Sequence, residues 1–295
     1  MCGADGSWTA TDFVCTTNIA IDDVVGSICA TKADGRARCW NADGTTVGDL
    51  GLPDANYKRV QAARLGTIGL TRDGRLLGAS RGEIPADLPP IADFRATDLG
   101  AAGLCLIAHD GSLLYGNYLP EVDPPLTLAV EAGPFADVAC AFEGLVAGVR
   151  SDGTVWGTDL LPGDSWARIA ISTTVVCGLS RAGEVTCSHG PAGWAPGVPM
   201  FTRGPYRQVA ASFQAACALE EGGALTCLRS ADGEGLTIDP GQFTFIVAGR
   251  DLVCGIRLDG TSACFRQEGI ADHVVDYDYT FTKLSPITPP LDADW

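Results

Sequence analysis

Four pairs of cysteines stand ten positions apart: Cys29 and Cys39, Cys177 and Cys187, Cys217 and Cys227, Cys254 and Cys264. Between the members of each pair lies a turn, respectively Ala33-Asp34-Gly35, Arg181-Ala182-Gly183, Glu221-Gly222-Gly223 and Leu258-Asp259-Gly260. A three-residue hairpin loop, a type I turn closed by glycine in the left-handed position, accounts for the spacing. It sets the two cysteines directly opposite each other at a non-hydrogen-bonded site, where Cα atoms approach to about 4.5 Å. Thiols so placed can form a disulfide. Zinc is the rival chemistry, but structural zinc wants converging pairs of ligands two to four residues apart, and no such knuckle occurs. Burial as small hydrophobes is the other alternative. Direct opposition four times over favours disulfides and an oxidising compartment.

Four cysteines remain, Cys2, Cys15, Cys105 and Cys140. Tyr115 stands where a hairpin partner for Cys105 would be, so that hairpin is not crosslinked. Pairs Cys2–Cys15 and Cys105–Cys140 would complete the set. Cys2, directly after Met1, also fits a lipid-anchored cysteine. Either way the protein is expected outside the reducing cytosol (secreted, periplasmic or at the cell surface), with any export signal lying outside this chain.

Catalytic patterns are thin. Gly78-Ala79-Ser80-Arg81-Gly82 matches the Gly-x-Ser-x-Gly elbow of serine hydrolases, but here it leaves a hairpin strand and enters a proline-rich loop, whereas the elbow needs a strand-to-helix turn. The three histidines are His109, His189 and His273, and His109 sits in a turn. Gly163-Asp164-Ser165 is a loop by composition. Asp276 and Asp278 share one face of an alternating segment and would suit a hard cation, yet no calcium-loop pattern surrounds them. A solvated strand face explains them as well. No catalytic set, metal or cofactor is therefore assigned.

These residues sit on a repeated unit. Turns of the same kind recur at Arg72-Asp73-Gly74, His109-Asp110-Gly111 and Ser151-Asp152-Gly153, making seven, and the glycines follow one another at 39, 37, 42, 30, 40 and 37 residues. An aromatic residue with an apolar or β-branched one three places on opens most copies: Tyr57 and Val60, Phe94 and Thr97, Phe135 and Val138, Trp166 and Ile169, Tyr206 and Val209. Segments such as Val175–Leu179 and Gly183–Cys187 are short and β-rich, and no window keeps helical periodicity. Each copy is then an antiparallel sheet of three or four strands that cannot bury both faces alone. Radial stacking solves this. The expected fold is all-β, a seven-bladed β-propeller occupying residues 1–295 as one domain. Repeats cover about 18–266, with 1–17 and 267–295 closing the ring and covering its end. Phe281-Thr282-Lys283-Leu284 repeats the opening pattern and is expected to pair near the N-terminal strands. An incomplete eighth blade using Ala4-Asp5-Gly6 is the alternative.

The repeats resemble those of the regulator of chromosome condensation family, seven-bladed propellers with an apolar strand, an Asp-Gly turn and a Trp-Gly strand. The match is carried by Ile28 to Gly35 leading to Cys39-Trp40-Asn41, by Leu106 to Gly111 with Tyr115-Gly116-Asn117, and by Val149 to Gly153 with Val155-Trp156-Gly157. Gly48-Asp49-Leu50-Gly51 keeps a trace of the family's repeat tail. The resemblance implies a recognition scaffold, since members include exchange factors for a nuclear GTPase, ubiquitin-ligase scaffolds and secreted bacterial propellers, among them a β-lactamase inhibitor.

The chain carries 36 acidic and 20 basic residues, a net charge of −16 over 295 residues. That excludes a surface built to grip nucleic acid. No apolar run reaches the length of a membrane helix. The expected function is non-enzymatic binding of a protein or surface ligand, as a monomer, through the loops joining first and second strands. Those loops hold Asp22, Asp23, Arg64, Phe142, Glu143, Phe213, Gln214, Arg250 and Asp251. Arg64, Phe142, Phe213, Arg250 and Asp251 are the candidate contacts, against the alternative that the phenylalanines pack between blades. Two other functions fit the architecture: a glycan-active hydrolase with carboxylates in the funnel, and an exchange factor for a small GTPase.

Overall fold

In the computed structural model, the residues described are 16–21, 28–41, 51–63, 66–79, 84–85, 87–96, 102–118, 126–141, 145–159, 161, 163–172, 175–189, 201, 204–212, 215–229, 235–239, 242–249, 252–268 and 283–287. They form 24 strands in seven antiparallel sheets, and no helix occurs among them. Blade 1 holds β1 (Thr16–Ile21), β2 (Ile28–Lys32) and β3 (Ala37–Trp40). Blade 2 holds β4 (Tyr57–Ala63), β5 (Gly66–Thr71) and β6 (Leu76–Ala79). Blade 3 has four strands, β7 (Ile91–Ala96), β8 (Ala102–Ala108), β9 (Leu113–Tyr118) and β10 (Leu126–Glu131). Blade 4 comprises β11 (Phe135–Cys140), β12 (Val146–Arg150) and β13 (Val155–Trp156). Blade 5 comprises β14 (Trp166–Ile171), β15 (Val175–Ser180) and β16 (Val185–His189). In blade 6 the strands are β17 (Tyr206–Ala211), β18 (Ala215–Glu220), β19 (Leu225–Arg229) and β20 (Gly235–Asp239). Blade 7 completes the set with β21 (Phe243–Gly249), β22 (Leu252–Arg257), β23 (Ser262–Glu268) and β24 (Lys283–Ile287).

The repeated glycine turns explain how one blade fixes the next. All seven turn glycines hold φ between 82° and 96°, a conformation costly to any residue with a Cβ. In six copies the glycine carbonyl accepts the N–H of the residue that opens the following blade, as in Tyr57 to Gly35, Phe135 to Gly111 and Trp166 to Gly153. The approach is close. A Cβ on Gly111 would lie 3.0 Å from Pro134 Cα, and one on Gly153 would overlap the Asp164 carbonyl. In the turns with aspartate, its carboxylate accepts the N–H two residues on, at 2.9 Å in Asp110–Ser112, Asp152–Thr154 and Asp259–Thr261.

The core is divided among the seams. Seven clusters of buried apolar residues each join neighbouring blades, and one of them packs Ile19, Ile28 and Trp40 of blade 1 on Leu252, Cys254 and Ile256 of blade 7. That last seam closes the ring. Middle strands are buried along most of their length, as in β2 and β15, because both sheet faces are covered.

The cysteine register is as the spacing demands. In each of the four hairpins the cysteines pair directly, with Cα atoms 4.0 Å apart and a disulfide between them. Cys105 faces Tyr115 within blade 3 and instead joins Cys140 of blade 4, the one disulfide among the described residues that crosses a seam. Cys2 and Cys15 lie outside the described residues.

Two expectations need correction. Copy three opens at Ile91 and not at Phe94: Ile91 accepts no ring role, its N–H binds Gly74, and Phe94 occupies the position of Val60, paired with Leu106 as Val60 is with Gly69. A Cβ on Gly69, Gly148, Gly178 or Gly255 would collide with the opening ring of its blade (Tyr57, Phe135, Trp166 or Phe243). Leu106 leaves no room for such a ring in blade 3, so the aromatic moves three residues inward. The second correction concerns the C-terminal segment. Lys283–Ile287 does not pair near β1 but forms β24 on the outer edge of β23, with Pro286 opposite Phe265. An outer edge suits a strand with proline, which has no N–H to give.

Candidate functional site

The first strand of every blade lines a central cavity of about 130 Å³. Each first strand carries a register irregularity just after its opening residue. The bulge re-aims the residue that follows it. Those residues are Asn18, Arg59, Asp93, Asp137, Arg168, Gln208 and Phe245 in blades 1 to 7. Being innermost, the same strands would otherwise present unpaired backbone groups to the axis. Two of the bulge residues cap the edge of the next blade. Asp137 accepts the Ile169 N–H at 2.9 Å. Gln208 accepts the Ile246 N–H at 2.9 Å and donates to the Ile246 carbonyl at 2.6 Å.

Blades 2 to 4 add an ionic network. Arg95 Nη1 lies 2.9 Å from Asp93 and donates also to the Phe94 carbonyl, while its Nη2 stands 3.8 Å from Asp137. Arg59 is 3.6 Å from Asp93 and rests over the Phe94 ring, 5.6 Å from the centroid. Its Nε is buried without a hydrogen-bond partner. Burial, reinforced by the neighbouring Arg95 charge, lowers the Arg59 pKa to about 10 against the pull of Asp93. Burial also acts to raise Asp93, but Arg95 and Arg59 outweigh it and its pKa falls. For Asp137 burial wins over Arg95 and the Ile169 N–H, and its pKa is raised. The cavity wall itself holds Arg59, Arg95 and Arg168 against the single acid Asp137, with Ala210, Phe245 and Val247 on the opposite side.

This arrangement bears on the hydrolase alternative. The two carboxylates of this network, Asp93 and Asp137, share the Arg95 guanidinium between them. That leaves neither as an unencumbered acid or nucleophile of a glycosidase pair. Among the described residues no group of three or more His, Cys, Asp or Glu side chains is placed to hold a metal ion. No helix among them is long and apolar enough to cross a membrane.

The candidate contacts Arg64, Phe142, Phe213, Arg250 and Asp251 all lie outside the described residues, as do Asp22, Asp23, Glu143, Gln214, Ser80, Asp276 and Asp278. The strands on either side of them are described, and pairs such as Ala63–Gly66 and Gly249–Leu252 bring these strands together at the end opposite the glycine turns. No sequence motif marks the channel residues. Their signal is positional: in blades 1 to 6 a charged or amide side chain stands two places after the opening residue.

Ring, seams and axial channel define the class: a β-propeller built of seven antiparallel sheets. Neither a described protein family nor a curated protein matches the sequence. Solved structures do. The crinkly WD40 ectodomain of the Arabidopsis thaliana receptor kinase ACR4 is similar, with a TM-score of 0.61 at 16% identity over 94% of this chain and 99% of that one. Prp20p of Saccharomyces cerevisiae, a protein described with its binding to Gsp1p and histones, gives 0.55 at 11% identity over 92% and 77% of the two chains. YCF48 bound to D1 peptide gives 0.55 at 14% identity over 88% and 94%. At such identities the likeness is one of fold.

Proposed function

We propose that the protein is an exported, non-enzymatic, monomeric propeller that binds a protein or surface ligand through the first-to-second-strand loops at one end of its ring. The observation that carries this is the scaffold itself, a closed ring with five disulfides among the described residues. Such crosslinks point to an oxidising, extracytoplasmic environment. Four of them crosslink the second and third strands of a blade near the end from which its first-to-second-strand loop leaves, and a rigid support of this kind lowers the ordering cost of recognition. Two of the similar folds belong to a receptor ectodomain and a peptide complex, which supports a binding role. Arg64, Phe142, Phe213, Arg250 and Asp251 are the proposed contacts. We place the repeats as divergent members of the chromosome-condensation-regulator type on the Asp-Gly turns and Trp-Gly strands. An exchange factor working in reducing cytosol has less support, given the disulfides.

The test is affinity capture from extracellular material of the source organism with the oxidised protein, compared with a Phe142→Ala/Phe213→Ala/Arg250→Ala variant. A partner retained by the first and lost by the second is expected. Equal capture by both would remove the loop assignment, and turnover of a glycan panel with no captured partner would overturn the binding role.

A further inference from the structure

We propose that the axial cavity binds a small carboxylate, its anionic head among Arg59, Arg95 and Arg168 and its apolar part against Phe245 and Val247. The cavity wall carries three guanidiniums and one carboxylate, a local excess of positive charge in a chain whose net charge is −16. Charge gathered at a partly closed site needs a counter-charge. Asp93 holds Arg95 at 2.9 Å and Arg59 only at 3.6 Å, and Asp137 acts on Arg95 and Arg168 together, so two acids serve three guanidiniums. Arg59 is 7% exposed, its nearest acid is 3.6 Å away, and its buried Nε has no partner. Arg168 forms no ion pair or side-chain hydrogen bond among the described residues. An anion at this point would satisfy both.

Shape and polarity narrow the class. At about 130 Å³ the cavity is close to the roughly 150 Å³ void that accepts benzene in another protein, so it suits one ring or a short aliphatic chain. Guanidinium forks match the two in-plane oxygens of a carboxylate. A phosphate dianion would meet Asp137 across the same space. Asp137, whose burial favours its protonated form, could instead donate to a monoanion. The wall from blades 6, 7 and 1 is apolar apart from Gln208, which gives the ligand's other end a place to bury. A free acid and the C-terminal carboxylate of a peptide share this chemistry.

Isothermal titration of the oxidised protein with benzoate, benzamide, inorganic phosphate and a pair of Phe-terminated tripeptides, one free acid and one amide, tests the assignment. Benzoate or the free-acid tripeptide should bind one to one, and the matching amide at least roughly tenfold more weakly, the loss expected for a charged hydrogen bond. Arg168→Ala and Arg59→Lys should each cost about the same factor, while Arg181→Ala, on the turn at the ring's outer end, should cost nothing. Arg168 is exposed, so its variant carries the test even where the Arg59 substitution disturbs packing. Binding of benzoate alone assigns a free small acid, and binding of the free-acid tripeptide assigns a peptide terminus. Absence of saturable binding by both, equal binding of acid and amide, phosphate binding as tight as benzoate, or indifference to Arg168→Ala would each overturn the proposal. Carboxylate binding should also survive the loop substitutions above, so it stands or falls separately from them.

Discussion

Replacing Gly153 by alanine strikes the contact that orders one blade on the next. The glycine holds φ at 96°, and its carbonyl accepts the Trp166 N–H at 3.1 Å. A Cβ there would overlap the Asp164 carbonyl oxygen and come within 3.3 Å of the Trp166 nitrogen. Both are backbone atoms, so no side-chain rotation relieves the clash. Left-handed geometry costs a non-glycine residue about 1–2 kcal/mol. Stretching or losing the hydrogen bond adds about 1 kcal/mol, for a total of roughly 2–3 kcal/mol. Gly222 supplies the control, because it is exposed and a Cβ there meets nothing within 4 Å. Gly222→Ala should stabilise by about 0.4–1 kcal/mol through the unfolded chain. Gly222→Asp should do at least as well, since it restores the carboxylate that caps the N–H two residues on in the Asp110 and Asp152 turns. Equilibrium denaturation of the oxidised protein, read as midpoint at constant m-value, separates the cases. Equal shifts for Gly153→Ala and Gly222→Ala, or none for Gly153→Ala, would refute the idea that glycine is required by the seam.

Other consequences follow from the crosslinks and the buried acids. Thiol titration of the unfolded, unreduced chain should find the ten cysteines of the five disulfides unreactive, and any of them titrating as free thiol contradicts the assigned pairs. Removing Cys217–Cys227 should cost about 3 kcal/mol and removing Cys105–Cys140 about 4 kcal/mol, because the second closes the longer loop; the order of the two midpoints is the check. Asp137→Asn should gain on the parent protein as pH rises. The raised pKa of Asp137 means its contribution is complete below about pH 4, the unfolded value, and is lost as pH climbs through the folded one. Stability difference against pH measures this, and a difference that shrinks with rising pH would contradict it. Asp93, lowered by Arg95 and Arg59, runs the other way, so Asp93→Asn should fall behind the parent protein as pH rises from about 3 to 6.

What the sequence revealed was what it encodes within ten residues. The Asp-Gly turn and the paired cysteines fix each other's register locally, and alternation does the rest. The phase of copy three was harder, yet still legible: Leu106 stands where Gly69, Gly148, Gly178 and Gly255 make room for a ring, so residue 91 had to be something other than aromatic. The place of Lys283–Ile287 was not legible, because Pro286 demands an edge strand but does not say which edge of a closed ring. The seam disulfide needed more than spacing too, since Cys105 and Cys140 are 35 residues apart and meet only when blade 4 docks.

The channel lies at the far end of that scale. Arg59, Asp93, Arg95, Asp137 and Arg168 belong to four blades, and each looks like an isolated charge until the ring closes. Once it does, their duties divide. Asp137 and Gln208 hold the free edge of the following blade, and Arg95 binds two acids into one network. Substituting any of these should loosen the scaffold. Arg59 and Arg168 cap no edge among the described residues: Arg59 is buried, where a guanidinium is costly to keep, and Arg168 is exposed on the channel wall. In the same layer blades 6 and 7 carry Gln208 and Phe245, so this acidic protein keeps two guanidiniums at its axis, one with a 3.6 Å pairing to Asp93 and one with no ion pair among the described residues. An anion entering the channel would give both a role that edge capping does not.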